Sequence, residues 1–308
     1  MKLFTGSSHP DLANEVAEVS GLPLSQAEVV RFDNSEVKVT IKESVKNQDC
    51  LVLQSTCNPT DSSLMELFFF ADALKRGGAS KIFAFIPYFG YARQNKEHRP
   101  GEAVSVNVVI RFLETVGFNQ VFFFDLHDEA TEGIFSIPCQ NLSALPLLAQ
   151  NLKNYLTINN KNKKIAIVSP DQGGVERARI FAENFFQKKK ADIVVVEKKR
   201  DLERIHQSKA VKLYGDVKGK IAILVDDIIT SGGTLIHAAE FCLKEGAVEV
   251  LAAVVHHDFS PQAPTLIQNS PISKLFTTNT IPLKNHLNFP KLHEISVAGL
   301  IAEAIKKI

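Results

Sequence analysis

Residues 221–234 have the sequence IAILVDDIITSGGT, in which an apolar run leads into two adjacent aspartates and a short turn of small residues. The apolar run predicts a buried strand over 221–225, and the spacing of residues 234–245 predicts an amphipathic helix. A strand, a turn and a helix in this order form the repeating unit of an open parallel sheet. Ligands of such sheets bind beyond the carboxyl ends of the strands, so a binding site is expected at this turn.

The same pattern recurs along most of the chain. Short apolar runs predict further strands over 49–54, 81–86, 121–126, 165–169, 192–196 and 250–255. Amphipathic stretches lie between them, such as residues 64–76, and a first helix is expected from Asp11, as its cap, to Gly21. Apolar strands that alternate with helices predict an α/β protein whose mainly parallel sheets have helices on both faces.

A faint internal repeat indicates two related α/β domains. Residues 112–127, FLETVGFNQVFFFDLH, align without gaps with residues 241–256, FCLKEGAVEVLAAVVH, and share Phe, Gly, Val and His at matching positions. The polar segment NLKNYLTINNKNKK at 151–164 indicates a boundary, which gives domains over 1–148 and 149–308. The last helix, over 295–308, is too short to form a domain, and we expect it to pack back on the N-terminal one.

Composition excludes several classes of function. The formal net charge of +1 argues against a nucleic-acid partner held by phosphate neutralisation. The cysteines, at positions 50, 57, 139 and 242, form no Cys-x-x-Cys pair, so we expect reduced core thiols of a cytoplasmic protein rather than a zinc site. The N-terminus lacks the apolar region of a signal peptide, and no apolar run is long enough to span a membrane.

The turn after the aspartates has the chemistry of a sugar-phosphate site. Backbone N–H groups at a helix N-terminus suit a phosphate, Gly232 and Gly233 permit its close approach, and neighbouring hydroxyls add donors. Carboxylates would repel a phosphate, so Asp226 and Asp227 indicate a ribose whose hydroxyls donate hydrogen bonds to them. The alternative is a helix N-cap with a glycine turn, which explains neither both acids nor both glycines.

Other strand ends also have charged residues. Arg93 and Gln94 follow a predicted strand beside two tyrosines, where they are placed to meet a polyphosphate or a base. His127 and Asp171 also follow strands and suit an oxygen-rich Mg²⁺ site only partly. The cations of EKKR (197–200) suit phosphoryl transfer on a mobile loop. The alternatives are solvated charge runs and a structural histidine.

Taken together, these motifs resemble the ribose-phosphate diphosphokinases, also called phosphoribosyl pyrophosphate synthetases, over essentially the whole chain. The strings that match are GSSHPDLA, RFDNSEV, QSTCNPTDSSLMEL, IPYFGYARQ, DLHDE, SPDQGG, EKKR, GDVKGKIAILVDDI, TSGGT and TNTIPL. HDE, EKKR and PGEAVS are nearer to the archaeal branch of that family. The chain departs from the commoner pattern at Thr230, where that pattern has an aspartate, and at Pro261, where it has a glycine soon after the HxxFS stretch.

The resemblance implies two domains of the phosphoribosyltransferase type, each a mainly parallel sheet with helices on both faces. It implies Mg²⁺-dependent transfer of a diphosphoryl group from ATP, on the N-terminal side, to the C1 hydroxyl of ribose 5-phosphate, on the C-terminal side. It also implies a homo-oligomer built on a dimer. The matching positions are Phe32, Asn34, Ser35, Glu36, Arg93 and Gln94 for ATP; His127 and Asp171 for the metal; Lys198 and Arg200 for catalysis; and Arg200, Asp226, Asp227, Thr230, Ser231, Gly232, Gly233 and Thr234 for ribose 5-phosphate.

Two other functions remain open at this stage. A plain phosphoribosyltransferase shares the VDDIITSGGT type of loop, but the N-terminal strings RFDNSEV and YARQ argue against it. A non-catalytic regulatory subunit is the other alternative, and the presence of Lys198, Arg200, His127 and Asp171 argues against that. The sequence assigns no general base; Asp226 or Asp227 is sterically possible, but holding hydroxyls is the role expected of them.

Overall fold

The computed structural model describes residues 1–97, 99–159, 163–200 and 208–308, with backbone only for residues 159, 198–200 and 208–211. The chain forms two compact units. Unit 1 comprises Met1–Ser143, Thr280–Pro282 and Ser296–Ile308, and unit 2 comprises Ala144–Asn279 and Leu283–Ile295. The last helix thus belongs to unit 1. No helix among the described residues is both long and apolar enough to cross a membrane.

The elements are numbered in chain order. The strands are β1 Lys2–Thr5, β2 Ala27–Arg31, β3 Val37–Ile41, β4 Asp49–Leu53, β5 Lys81–Ile86, β6 Gln120–Phe124, β7 Cys139–Leu142, β8 Lys164–Ser169, β9 Val194–Arg200, β10 Ser208–Tyr214, β11 Lys220–Ile229, β12 Glu249–His257, β13 Lys274–Thr278 and β14 Leu292–Ile295. The helices are α1 Pro10–Ser20, α2 Thr60–Arg76, α3 Ser105–Val116, α4 Leu145–Asn159, α5 Val175–Phe186, α6 Gly233–Lys244, α7 Ala263–Gln268 and α8 Ala298–Ile305. Short 3₁₀ helices span Glu129–Ile134 and Asn285–Leu287.

Unit 1 is built on a parallel five-stranded sheet in the order β1-β4-β5-β6-β7. Alternate residues of the central strands face opposite sides of the sheet. One side packs with α2 and α3 into a core that includes Val52, Ala84 and Phe123. Helix α1 contacts β1 and α8. The antiparallel hairpin β2–β3 forms a separate sheet and contacts α2 through β3.

Unit 2 is built on a seven-stranded sheet in the order β10-β9-β8-β11-β12-β13-β14. All neighbours are parallel except β9 and β10. Its central strands are buried nearly throughout, as in β12, which explains their continuous apolar runs. Helices α6 and α7 pack into one core with β11 and β12, while α4 contacts α5, β12 and β13. The predicted α/β class, with mainly parallel sheets and helices on both faces, is confirmed.

Three local features differ from the predictions. His9, not Asp11, caps α1, because its Nδ1 accepts the N–H of Leu12 at 3.3 Å. The segment predicted as a domain boundary forms most of α4, where Leu148, Leu152 and Leu156 are buried at helical spacing. Strand β11 continues through both aspartates to Ile229, four residues beyond the predicted end at 225 (229 − 225 = 4).

Candidate functional site

The two aspartates of β11 lie where the strand loses one of its neighbours. Pairing of β11 with β8 ends at Leu224 and Val168, whereas pairing with β12 continues to Ile229 and His257. The backbone of residues 225–229 therefore stays extended on the support of β12 alone. The freed side of the strand leaves room for side chains from the segment that follows β8.

The turn after β11 is open to a ligand. Gly232 has a left-handed backbone with φ 84° and is the N-cap of α6, where it offers no side-chain cap; the N–H of Gly233 donates to Oγ of Ser231 at 3.5 Å. A Cβ at this glycine would meet Ile267 at 3.1 Å, so both backbone shape and space favour glycine. Ser231 is exposed, and the carbonyl of Thr230 accepts the N–H of Ser260 at 3.0 Å. The turn thus leads into a helix N-terminus whose N–H groups are of the kind that bind phosphate.

Arg177, in the first turn of α5, contacts both aspartates. Its Nη1 lies 3.1 Å from Oδ1 of Asp227 and 3.5 Å from Oδ1 of Asp226. All three side chains are largely buried, with 16%, 4% and 14% of their surfaces exposed. Burial, and next the charge of Asp227, raise the pKa of Asp226 well above its usual value, and the guanidinium of Arg177 opposes that rise.

Sequence reasoning missed Arg177 because nothing near it in the chain distinguishes it. GGVERAR contains two arginines at alternate positions, and only the fold brings one of them to the aspartates, 49 residues along the chain. Arg179 instead pairs with Glu176 on the exposed face of the same helix, with its Nε 3.5 Å from the carboxylate. The sequence alone therefore does not show which of Arg177 and Arg179 lies near the acidic pair.

The turn between β8 and α5 is organised by Asp171. Its Oδ1 accepts the N–H groups of Gly173 and Gly174 at 3.0 and 3.2 Å, and Ser169 donates its hydroxyl to the Asp171 carbonyl at 2.6 Å. Asp171 was predicted as a metal ligand. One of its oxygens is engaged in holding the turn, and its role toward a metal remains a prediction. Several predicted site residues lie at the ends of the neighbouring strands β8 and β11. Asp171 follows β8, Asp226 and Asp227 lie near the end of β11, and the turn 230–234 follows β11.

Lys198 and Arg200 lie in β9, where the structure describes the backbone but not their side chains. They pair with Ala210 and Ser208 of the antiparallel strand β10. A mobile loop was predicted here from the sequence. The strand forms because a second strand follows closely enough in the chain to pair with it, and β10 had not been predicted. Because their side chains lie outside the described part of the structure, their catalytic roles stay predictions.

In unit 1, the predicted adenosine-binding residues form the exposed tip of the hairpin β2–β3. Phe32 is 47% exposed, and Ser35 has a left-handed backbone with φ 71°. Asn34 accepts the N–H of Glu36 at 3.2 Å, so the tip is a tight turn. Arg31 donates to the Ser35 carbonyl at 2.9 Å and lies 4.0 Å from Glu66 of α2, which connects the tip to the unit. An exposed aromatic ring at such a tip can stack on a base.

Arg93 and Gln94 are exposed in the loop after β5. This loop is held by Gly90, whose N–H donates to Oγ1 of Thr56 at 2.8 Å, and by a hydrogen bond from the Tyr91 hydroxyl to Asp61. Gln94 accepts the hydroxyl of Ser105 at 2.6 Å, at the start of α3. The backbone that presents the two side chains is therefore fixed from several directions.

His127 is exposed in the loop after β6, the strand beside β5. Asn95 donates to Oδ2 of Asp128 at 2.6 Å, so the loops that hold Arg93 and His127 are hydrogen-bonded to each other. Asp128 also caps the following 3₁₀ helix through the N–H of Ala130. The predicted residues of unit 1 thus cluster in part: Arg93, Gln94 and His127 follow adjacent strands, and residues 32–36 form a separate hairpin tip.

The described residues contain no group of three or more His, Cys, Asp or Glu side chains that could hold a metal ion. His127 and Asp171 belong to different units. A metal with several protein ligands, such as a structural zinc, therefore does not fit the described side chains. The carboxylate of Asp171 suits Mg²⁺, which commonly takes one or two carboxylates and completes its shell with water and substrate phosphates, whereas the imidazole of His127 suits it only partly.

Comparison with known families places two family models on the chain. The N-terminal domain of ribose phosphate pyrophosphokinase matches residues 1–117, and the phosphoribosyl synthetase-associated domain matches residues 187–308. The first match covers the hairpin tip and the loop of Arg93. The second covers β9 and the whole of the turn after β11.

Relatives match the chain from end to end. The ribose-phosphate pyrophosphokinase of Marinomonas sp. (strain MWYL1) is 40% identical over 310 residues, which cover 100% of this chain and 95% of the relative. That of Bacillus subtilis (strain 168) is 38% identical, with 100% and 94% covered. The crystal structure of phosphoribosylpyrophosphate synthetase from Mycobacterium smegmatis superposes with a TM-score of 0.88 at 33% identity, covering 99% of this chain and 97% of that one.

Proposed function

Since this chain belongs to the ribose-phosphate pyrophosphokinase family, we propose that it transfers the diphosphoryl group of ATP to the C1 hydroxyl of ribose 5-phosphate. The products are 5-phosphoribosyl 1-diphosphate, used in nucleotide biosynthesis, and AMP. The observation that supports this most strongly is the end-to-end identity of about 40% with ribose-phosphate pyrophosphokinases, which includes both the hairpin tip of unit 1 and the acidic turn of unit 2.

Ribose 5-phosphate is assigned to unit 2. Its phosphate binds the N–H groups after Gly232 and the hydroxyls of Thr230, Ser231 and Thr234. Its ring hydroxyls donate to Asp226 and Asp227, which supply acceptors in a largely buried place where water competes little. This division explains why anionic side chains stand next to a phosphate-binding turn.

ATP is assigned to unit 1. The exposed ring of Phe32 stacks on the adenine, and Asn34, Ser35 and Glu36 at the hairpin tip hydrogen-bond the adenosine. Arg93 and Gln94 contact its phosphates and base from the loop after β5. These roles are supported by the exposure of the side chains and by the hydrogen bonds that fix the backbone beneath them.

In the reaction, O1 of the ribose bonds to the β-phosphorus in line as the bond from that phosphorus to the oxygen of the α-phosphate breaks, and AMP leaves. Such transfers depend mainly on positioning and on neutralisation of charge. Lys198 and Arg200 are assigned to the charge that develops on the transferred group. No general base is assigned.

Mg²⁺, when bound, would neutralise charge on the ATP phosphates, and we assign His127 in unit 1 and Asp171 in unit 2 as metal-holding residues. We further propose that the protein works in the cytoplasm as a homo-oligomer built on a dimer. Its four cysteines are free, as is usual in a reducing compartment.

The experiment that tests the function is incubation of the pure protein with ATP, Mg²⁺ and ribose 5-phosphate, followed by separation of the nucleotides. We expect AMP in equal amount to the sugar diphosphate, and none when ribose 5-phosphate is omitted or when the metal is chelated. ADP as the product, or release of inorganic diphosphate from added 5-phosphoribosyl 1-diphosphate and a base, would instead indicate a simple kinase or a phosphoribosyltransferase.

A further inference from the structure

The contact of Arg177 with both aspartates of β11 has no role in the assignments above. Asp226 and Asp227 are adjacent, largely buried and of like charge, so each disfavours ionisation of the other. A single guanidinium nitrogen within 3.5 Å of both carboxylates supplies the opposite charge and a fixed donor. Arg177 thus contacts Oδ1 of both carboxylates, and Oδ1 of Asp226 also accepts the backbone N–H of Asp227 at 2.9 Å.

The local surroundings favour this placement of the guanidinium. A Cβ on Gly174 would lie 3.7 Å from Nη1 of Arg177, 2.9 Å from Oγ of Ser169 and 3.8 Å from the carbonyl oxygen of Val225. A Cβ at 174 would thus be in ordinary contact with the guanidinium and with β11, and its tight approach would be to Ser169. The turn that ends at Gly174 is itself held by Oδ1 of Asp171.

Helix stability alone does not account for an arginine at this position. Arg177 is the third residue of α5, where the partial positive charge of the helix N-terminus disfavours a cation. Glu176, one residue earlier, has the charge that the helix dipole favours. The energetic benefit of Arg177 must then come from partners outside the helix, which include the two aspartates.

We propose that Arg177 is a positioning residue, which holds Asp226 and Asp227 as an oriented pair of acceptors for the ring hydroxyls of the sugar phosphate. This inference rests on the proposed function, because it takes ribose 5-phosphate as the occupant of the turn. Arg177 acts through the aspartates and does not contact the transferred group. Its loss therefore weakens binding of the sugar phosphate and leaves the ATP side unchanged.

The test compares Arg177→Gln and Arg177→Lys with Arg179→Gln, a control in the same helix whose side chain is 44% exposed and pairs with Glu176. Each substrate is varied in turn. We expect Arg177→Gln to raise the KM for ribose 5-phosphate about tenfold or more, since a charge-assisted contact in a buried site is lost. Its KM for ATP should stay within about twofold of the wild-type value, because the substitution changes the binding of ribose 5-phosphate alone.

Arg177→Lys restores a positive charge without the planar fork, so we expect a ribose 5-phosphate KM between those of the wild type and Arg177→Gln. Arg179→Gln should match the wild type. Equal loss for both substrates, with a lowered melting temperature, would mean that Arg177 only stabilises the fold and would overturn the proposal. An unchanged ribose 5-phosphate KM in Arg177→Gln would overturn it as well.

Calorimetric titration of ribose 5-phosphate into the same variants, without ATP, separates this inference from the proposed function. If the wild type forms no AMP, the function is wrong whatever the variants do. If the wild type turns over and Arg177→Gln binds ribose 5-phosphate as tightly as the wild type, only the inference is wrong. Weaker binding in Arg177→Gln, partly restored in Arg177→Lys, supports it.

Discussion

Thr230 stands where the resemblance leads one to expect an aspartate, and it lies directly after the strand that holds Asp226 and Asp227. An aspartate here would add a third carboxylate beside the phosphate-binding turn. A threonine offers a neutral hydroxyl instead. We predict that Thr230→Asp weakens ribose 5-phosphate binding by about 1–3 kcal/mol, a rise in KM of roughly tenfold or more, through lost donation and added repulsion.

Steady-state kinetics with each substrate varied in turn measure this effect. Thr157→Asp, which adds the same charge on the exposed side of α4, is the matched control and should behave as the wild type. The ATP KM of Thr230→Asp should not change. A loss confined to ATP, or no change for ribose 5-phosphate, would show that the sugar phosphate has been assigned to the wrong turn.

At the scale of elements, the sequence predicted the central strands better than the edges. Strands β4, β5, β11 and β12 are buried on both faces, so their apolar runs stand out without any knowledge of the fold. The hairpin β2–β3 contains only half-buried and exposed residues, and β1, β7 and β14 span only four residues each. Short or half-exposed strands of this kind depend on their neighbours for pairing, which a local pattern does not reveal.

The candidate site divides in the same way. The acidic pair and the turn 230–234 could be predicted because they are contiguous in the chain. Arg177 could not, because its approach to Asp226 and Asp227 depends on the pairing of β8 with β11. The alignment of 112–127 with 241–256 falls on α3–β6 and α6–β12, and both units have a glycine with φ above 90° between helix and strand, at positions 117 and 246.

The loop after β5 gives a prediction at this scale. A Cβ on Gly90 would lie 2.5 Å from the carbonyl oxygen of Thr56 and 2.4 Å from Cγ2 of Thr60, and a backbone oxygen cannot move aside cheaply. We predict that Gly90→Ala displaces the loop that presents Arg93 and Gln94. The clash should lower the free energy of unfolding by about 1–3 kcal/mol. Each 1 kcal/mol should lower the melting temperature by roughly 2–4 °C.

The same variant should raise the KM for ATP more than that for ribose 5-phosphate, because the displaced side chains are assigned to ATP. Gly133→Ala is the control, since a Cβ there meets nothing within 4 Å and its backbone is not left-handed. A Gly90→Ala protein with wild-type ATP kinetics and melting temperature would contradict both the steric argument and the assignment of Arg93 and Gln94.

At the scale of the whole molecule, the division into two units cannot be read from chain order alone. Helix α8 follows the last strand of unit 2 but belongs to unit 1, where it contacts α1, nearly the whole chain away. The last helix was expected to pack back on the N-terminal domain, but its contact with α1 was not predicted. The substrates are assigned to different units, so an observable that reports on each unit separately can test that assignment.

The buried cysteines provide such an observable. Burial raises the pKa of Cys50, in unit 1, to about 11 and that of Cys242, in unit 2, to about 12. A raised pKa keeps the thiol protonated at pH 8, and the protonated form does not react with alkylating reagents. Both thiols are also fully buried. Labelling of either one at pH 8 therefore requires opening of the unit that contains it.

We predict that each substrate slows labelling in its own unit. Ribose 5-phosphate at about 100 times its dissociation constant should stabilise unit 2 by about 2.7 kcal/mol and slow labelling of Cys242 roughly a hundredfold, with Cys50 unaffected. ATP should protect Cys50 and not Cys242. Mass spectrometry of the labelled peptides measures both rates in one sample, and half-buried Cys139 is a third site in unit 1 for comparison. Protection of Cys50 by ribose 5-phosphate alone would reverse the assignment. Equal protection of both thiols by either substrate would show that the two units open together.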